Sequence, residues 1–88
     1  MKKCLKKNFL VYLVKTSKNK LYTGITNNLD KRIKAHNDGK GAKSLRGQLP
    51  VKLVWSSNLM SKSEALKLEY KIKQMSRKQK EQFIKEKK

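Results

Sequence analysis

The first part of the chain combines short apolar runs with a polar turn in a pattern that predicts a β-hairpin. Residues 9–15 are rich in β-branched and aromatic side chains, residues 16–20 have the composition of a turn, and residues 21–26 resume a strand pattern. Two such runs joined by a short polar segment are typical of antiparallel strands. A third strand is predicted at residues 51–56, after a basic loop at residues 40–50 that contains two glycines and a proline.

Three helices are predicted around this third strand. Asn27 or Asn28 can cap the first helix, and Gly39 marks its end. Ser61 and Glu64 have the spacing of a capping box at the start of the second helix, and the same spacing recurs before a short last helix. The order ββαβαα therefore predicts an α/β fold of the α+β type, with a small three-stranded sheet flanked by helices.

The apolar positions of these elements predict a single core with the sheet packed between helices. The expected members are Leu13 or Val11, Ile33, Val54, Leu66 and Ile72. A chain of 88 residues has room for one domain with a modest core, so we expect one domain over residues 1–88. Its folded part is expected over residues 8–84, with residues 85–88 as a disordered, solvated basic tail.

The charge of the chain indicates the class of its partner. There are 24 basic and 6 acidic residues, for a net charge of +18. A polyanion offsets the self-repulsion of such a charge, so we expect DNA as the partner, with RNA not excluded. A membrane surface is not expected, because Trp55 lies in a strand-like segment rather than on a basic amphipathic helix.

The cysteine content and the N-terminal segment indicate a cytoplasmic setting. Cys4 is the single cysteine, so it cannot form an internal disulfide, and a zinc site made of cysteines is excluded. The apolar run at residues 9–14 is six residues long and ends at Lys15, which is too short for a secretion signal or a membrane span.

Five polar residues occur in an order that suggests phosphodiester chemistry. They are Tyr12, Tyr22, Arg32, His36 and Glu69. Cleaving a phosphodiester requires a base for the attacking water, a charge to stabilise the developing phosphorane, and assistance to the leaving oxygen. Two phenols, a guanidinium, an imidazole and a carboxylate can supply these functions if the hairpin and two helices bring them together.

The order and spacing of these five residues resemble those of a GIY-YIG nuclease domain. Residues 11–13 stand in the place of the family's first triplet, and residues 22–24, Tyr-Thr-Gly, in the place of the second, which makes Gly24 its structural glycine. Residues 39–43, 46–47, 50–54 and 64–69 are similar to the small stand-alone bacterial members of that superfamily. The resemblance extends over roughly residues 8–84 and implies a metal-dependent endonuclease.

The resemblance also implies a role for each site residue. Tyr22 is implied as the general base, with Tyr12 supporting it or exchanging roles with it. Glu69 is implied as the residue that binds one divalent ion, Mg²⁺ or Mn²⁺, which commonly uses one or two protein carboxylates and keeps several waters. His36 lies one helical turn after Arg32, where it can act as a proton donor or a phosphate ligand.

Arg32 also stands out within this sequence. Of the 24 cations only three are arginine, so lysine is used wherever a positive charge is sufficient. A guanidinium can donate two parallel hydrogen bonds to a phosphate, which an ammonium cannot do. We expect Lys40, Lys43 and Arg46 of the basic loop to bind nucleic-acid phosphates in addition.

A purely structural explanation remains open for each of these residues. Tyr12 and Tyr22 can be strand aromatics packed in the sheet, and Arg32 can be a solvated helix residue. His36 can be a helix-end histidine favoured by the helix dipole. Glu69 can pair with Lys73 four residues later on the same helix.

Two function classes follow, together with a less favoured third. The first is an endonuclease that acts on branched, damaged or flexible DNA, in repair or recombination, with a protein partner that supplies targeting. The second is a nucleic-acid-binding module of the same fold that has lost useful activity. A basic ribosome-associated protein would explain the charge, but it would not explain the register of Tyr12, Tyr22, Arg32 and Glu69.

Overall fold

The computed structural model describes residues 7–41 and 43–87, which form a three-stranded antiparallel sheet in the order β2-β1-β3 with three α-helices. The strands are β1 (Leu10–Lys15), β2 (Leu21–Thr26) and β3 (Lys52–Ser56). The helices are α1 (Leu29–Asn37), α2 (Lys62–Lys73) and α3 (Arg77–Lys87). The predicted order ββαβαα and the α+β class are confirmed.

The hairpin turn between β1 and β2 is organised by Thr16. Its Oγ1 accepts hydrogen bonds from the backbone N–H groups of Lys18, at 3.2 Å, and Lys20, at 3.1 Å. Asn19 lies in the left-handed region, with φ of 63°, a conformation that asparagine tolerates better than most residues. The turn sets the register of the hairpin, in which Tyr12 lies opposite Gly24 and Val14 opposite Tyr22.

The helix ends follow the capping signals in the sequence. The side chain of Asn28 accepts the backbone N–H of Lys31 at the start of α1, and Gly39 has φ of 79° after its end. Ser61 and Glu64 form both bonds of a capping box at the start of α2. Each bond satisfies a backbone group that the helix leaves without a partner.

Apolar side chains pack on both faces of the sheet, so the expectation of one core is wrong. Val11 and Leu13 face α2 and α3, whereas Tyr12 and Val14 point to the opposite face, because successive side chains of a strand alternate. The first cluster also contains Ala65 and Ile72, with Val54 at its edge, and the second contains Leu45 and Val51, with Ile33 packed against it. The sheet does lie between helices, as expected.

Leu66 was expected in the core, but 46% of its surface is exposed. The helical repeat places Ala65, Leu68 and Ile72 on the side of α2 that packs on the sheet, and it turns Leu66 away from them. The prediction failed because the apolar positions of this helix cover more of its circumference than the sheet can bury.

Two further segments are more ordered than the sequence predicted. The basic loop contains a 3₁₀ helix, Lys43–Gln48, which is anchored by Leu45, buried in the second cluster. Asn37 connects α1 to the start of β3 because its Oδ1 accepts the backbone N–H of Val51 at 2.7 Å. α3 continues to Lys87, where a disordered tail was expected.

Within residues 7–41 and 43–87, no helix is both long and apolar enough to span a membrane.

Candidate active site

The Tyr-x-Gly triplet makes room for Tyr12 on the sheet. Tyr12 lies on the central strand directly opposite Gly24, and its side chain is fully buried. A Cβ atom at position 24 would lie 2.5 Å from Tyr12 Oη and 2.7 Å from Cζ, which is closer than packed atoms can approach. Gly24 is therefore required where the phenol of Tyr12 crosses the neighbouring strand, and this is the physical reason for the glycine in the second triplet.

His36 lies against Tyr12 rather than in solvent. Its Nε2 is 2.8 Å from Tyr12 Oη, and 1% of the residue is exposed. Burial, together with the charge of Arg32, lowers the pKa of His36 below its usual 6.5. Gly41 lies against the other side of the ring, where a Cβ atom would overlap His36 Nδ1.

Arg32 completes the contacts of the Tyr12 phenol. Its Nε is 3.5 Å from Tyr12 Oη, a long hydrogen bond that raises the pKa of Arg32. Because a guanidinium can only donate, Tyr12 Oη accepts from Arg32 and is free to donate its own proton to His36 Nε2. This assignment places the proton of the neutral imidazole on Nδ1. Arg32 and His36 thus share a face of α1, as their spacing predicted.

The two tyrosines differ in their environments. Burial raises the pKa of Tyr12, with smaller contributions from the charges of Tyr22 and Glu69, and Arg32 opposes these effects. The ring of Tyr22 is 6.4 Å from that of Tyr12 and 5.6 Å from that of His36, centroid to centroid. Tyr22 is only partly buried. Tyr12 is therefore an internal neutral phenol, and Tyr22 is the tyrosine that a solvent molecule can reach.

A cleft opens next to Arg32 at the start of α1. Its volume is about 260 Å³, and its lining residues are Thr26, Asn27, Asn28, Lys31, Arg32 and Ala35. Two cations and two amides make this lining suitable for a phosphate group. The sequence provided no signal that distinguishes Lys31 or Asn27 from the many other lysines and asparagines of the chain. Their contribution became visible only when the hairpin and α1 were placed together.

Two of the cations expected to bind nucleic acid lie outside this cleft. Lys40 and Lys43 are exposed on the segment between α1 and β3, and neither lines this cleft. The backbone of Arg46 belongs to the 3₁₀ helix, and its side chain lies outside the described parts of the structure. Their expected contacts with phosphates stay a prediction.

Glu69 forms the ion pair with Lys73 that its spacing allowed. Lys73 Nζ is 3.3 Å from Glu69 Oε2, and 19% of the glutamate side chain is exposed. The negative charge of Glu69 contributes to raising the pKa of Tyr12, so the carboxylate lies close enough to influence the tyrosine site electrostatically. Among residues 7–41 and 43–87 there is no cluster of three or more histidine, cysteine, aspartate or glutamate side chains that could hold a metal ion. A single accessible carboxylate nevertheless fits Mg²⁺, which commonly retains most of its waters.

Comparison with known proteins assigns the class of this domain. The family model of the GIY-YIG catalytic domain matches residues 8–82. The chain therefore belongs to the GIY-YIG family of nuclease domains, in agreement with the resemblance of its motifs.

Within this family the chain is similar to the UPF0213 proteins. It is 50% identical over 76 residues to UPF0213 protein plu4503 of Photorhabdus laumondii, a match that covers 86% of this chain and 73% of the relative. It is 45% identical over 78 residues to UPF0213 protein YhbQ of Escherichia coli K12, covering 89% and 78%. The solution NMR structure of UPF0213 protein BH0048 from Bacillus halodurans is 43% identical, with a TM-score of 0.57 over 88% of this chain and 82% of that chain.

Proposed function

We propose that this chain is a metal-dependent endonuclease that hydrolyses phosphodiester bonds in DNA and recognises the structure of its substrate rather than its base sequence, in repair or recombination. The observation that carries the proposal is the double role of Arg32. It contacts Tyr12, whose ring packs beside those of Tyr22 and His36, and it also lines the cationic cleft at the start of α1. Membership of a nuclease family supports the same reaction class.

Arg32 is positioned to bind the scissile phosphate. Its Nε is engaged with Tyr12, which leaves the two terminal nitrogens available to donate to phosphate oxygens in the cleft. His36 holds Tyr12, and Tyr12 in turn limits the rotation of the guanidinium. Lys31 adds a second charge on the same lining. Donors held in place before the reaction stabilise the charge that develops on the phosphorane, which is commonly the largest contribution to such catalysis.

Tyr22 is the base for the attacking water in this mechanism. Once Tyr22 has released its own proton to solvent, its oxygen takes a proton from the water as the water oxygen bonds to phosphorus. The bond from phosphorus to the leaving oxygen breaks, and that oxygen is protonated by solvent. Arg32 and Tyr22 are close enough that the charge of Tyr22 contributes to raising the pKa of Arg32.

Glu69 is the residue that would hold Mg²⁺ or Mn²⁺. When bound, the ion would supply Lewis-acid stabilisation of negative charge on the leaving oxygen. When Glu69 takes this role, Lys73 can leave the ion pair for solvent, because its side chain is half exposed. The existing pair is therefore a weak obstacle to metal binding.

The proposed selectivity for DNA structure follows from the distribution of charge. Lysine is the dominant cation, and an ammonium binds a phosphate as a point charge without reading a base edge. Affinity should fall by roughly 10³-fold or more between about 50 and 200 mM salt if about six phosphates are contacted. A partner that supplies targeting belongs to the same proposal.

A second candidate function is a nucleic-acid-binding module without catalytic activity. The observation that favours it is the Glu69–Lys73 ion pair, because a glutamate with this partner has a purely structural explanation. Both candidates require salt-sensitive binding, and only the first requires metal-dependent cutting.

The test uses purified full chain with flapped, forked, gapped and duplex DNA, with and without Mg²⁺ or Mn²⁺. The critical variant is Glu69→Gln, which keeps the shape and removes the charge. The matched control is Glu81→Gln, because Glu81 forms the same kind of ion pair with Arg77 on α3.

We expect metal-dependent cutting of branched substrates by the parent and by Glu81→Gln. Glu69→Gln should lose cutting and keep the fold and DNA binding. Binding by the parent without cutting of any substrate would favour the second candidate. Cutting by Glu69→Gln at saturating Mg²⁺ would remove Glu69 from the metal site.

A further inference from the structure

The outer surface of α2 carries two exposed apolar side chains one helical turn apart. Tyr70 is 68% exposed and Leu66 is 46% exposed, although Ala65 and Ile72 of the same helix are fully buried. Residues four apart on a helix are neighbours on its surface. Leu66 and Tyr70 therefore form one continuous patch, which we call the Leu66–Tyr70 platform, and this patch takes no part in the two clusters that pack against the sheet.

The platform adjoins the proposed metal residue. Glu69 directly precedes Tyr70 and is three residues from Leu66, so it borders the platform on the helix surface. Glu69 is itself within electrostatic reach of Tyr12. The platform therefore lies beside the carboxylate that is proposed to hold the metal ion.

The charges around the platform decide what can cover it. α2 contains four lysines and two glutamates, and the chain as a whole carries +18. A second copy of the chain would bring a similar cationic surface against this one, and the repulsion would oppose dimerisation. The occupant that matches both features is an anionic molecule with flat apolar faces.

We propose that the Leu66–Tyr70 platform stacks an unpaired base of the DNA substrate. In a continuous duplex the faces of the bases are covered by their neighbours, whereas a flap, fork or gap exposes them, and an aromatic side chain accepts any exposed base because all bases have a π-face. The platform would thereby select branched or partly single-stranded DNA without reading its sequence. This inference rests on the proposed function, since it names the substrate feature recognised beside that site.

The test measures binding without added metal, so that it does not depend on cleavage. The probes are a duplex with a single-stranded arm that carries a fluorescent adenine analogue, and a blunt duplex with the same number of phosphates. The variants are Tyr70→Ala, Tyr70→Phe and Leu66→Ala. Leu59→Ala is the matched control, because Leu59 is an exposed leucine outside the platform, at 59%. Thermal melting confirms that each variant is folded.

We expect the parent to bind the armed duplex more tightly than the blunt one and to quench the analogue. Tyr70→Ala should weaken binding to the armed duplex by about 5- to 150-fold, the range reported for the loss of one stacked base, and should leave the blunt duplex nearly unaffected. Tyr70→Phe should retain the preference, Leu66→Ala should reduce it, and Leu59→Ala should behave like the parent.

Several outcomes would overturn the inference. One is equal affinity of the parent for the two probes, and another is an armed-duplex affinity that Tyr70→Ala does not change. A parent dimer in sedimentation that Tyr70→Ala dissociates would assign the platform to a second copy instead. Failure of the proposed function is distinguishable from all of these, because it would appear as a parent that binds neither probe or that cuts no substrate when metal is supplied.

Discussion

The replacement of Arg32 by lysine separates the shape of this side chain from its charge. Lysine keeps the positive charge and a similar helix propensity, so the long-range field of a chain with charge +18 is nearly unchanged. Lysine cannot reproduce the contacts of Arg32, because its three N–H donors diverge from one nitrogen, whereas the planar guanidinium bonds Tyr12 through Nε and presents two terminal nitrogens to phosphate oxygens. The variant therefore removes only the geometry described for Arg32.

The expected effect follows from the contacts of Arg32. With Nε held by Tyr12 at 3.5 Å, the terminal nitrogens provide two preorganised donors in one plane, whereas the ammonium of a lysine acts as a mobile point charge. The loss of one well-placed donor to a developing oxyanion typically lowers the rate by about 10²- to 10³-fold. DNA affinity should change little, because one positive charge replaces another.

Single-turnover cleavage and equilibrium binding should be measured together on one branched substrate. Arg77→Lys provides the matched control, because the Arg77 guanidinium bonds Glu81 and Asn19 rather than the tyrosine site, so the same loss of geometry there should not affect cleavage. We expect a large loss of rate for Arg32→Lys and none for Arg77→Lys, with both variants binding like the parent. Cleavage by Arg32→Lys near the parent rate would refute the assignment of Arg32 to the phosphate.

Three further predictions concern the fold around the site, and urea denaturation tests each of them. Ile33→Asp should cost several kcal/mol, on the order of the cost of burying an unpaired charge, because Ile33 packs against the second cluster. The exposed Leu59→Asp should cost much less, and equal losses would contradict the packing of α1. Gly24→Ala should cost about 1 to 3 kcal/mol through overlap with Tyr12, and Tyr12→Phe in the same chain should recover part of that loss by removing Oη. Parent-like stability of Gly24→Ala would contradict the close approach of Tyr12 to the backbone at position 24. His36 is the single histidine, and burial lowers its pKa below 6.5, so the unfolded chain binds a proton at higher pH than the folded chain does. The stabilisation is complete above about pH 6.5, and the free energy of unfolding should decline on acidification below that value; a flat profile down to about pH 5 would show that the ring is not buried as a neutral group.

The sequence by itself determined the local structure and the set of candidate residues. The hairpin, the capping of α1 by Asn28 and the capping box of Ser61 with Glu64 all depend on residues a few positions apart, so their signals are contained in short windows. The strand period of two places Tyr12 and Val14 on one face of the sheet, whereas the register that sets Tyr22 opposite Val14 was seen only in the structure. The ion pair of Glu69 with Lys73 was also available from spacing alone.

Only the tertiary structure decided how these elements bury their side chains. The division into two clusters and the exposure of Leu66 depend on which side of α2 meets the sheet, and the anchoring of the 3₁₀ helix by Leu45 depends on a long-range contact. Which side chains are buried is decided when whole elements pack together, so burial cannot be predicted from the periodicity of one helix.

The different environments of the site residues were decided at the same level. His36 was located on α1 by the sequence, but its burial against Tyr12 and its lowered pKa arise from the meeting of α1 with the central strand. The same packing buries Tyr12 completely and leaves Tyr22 accessible. Desolvation depends on all the atoms that surround a group, so two tyrosines with similar sequence contexts acquired different chemistry only when the chain folded.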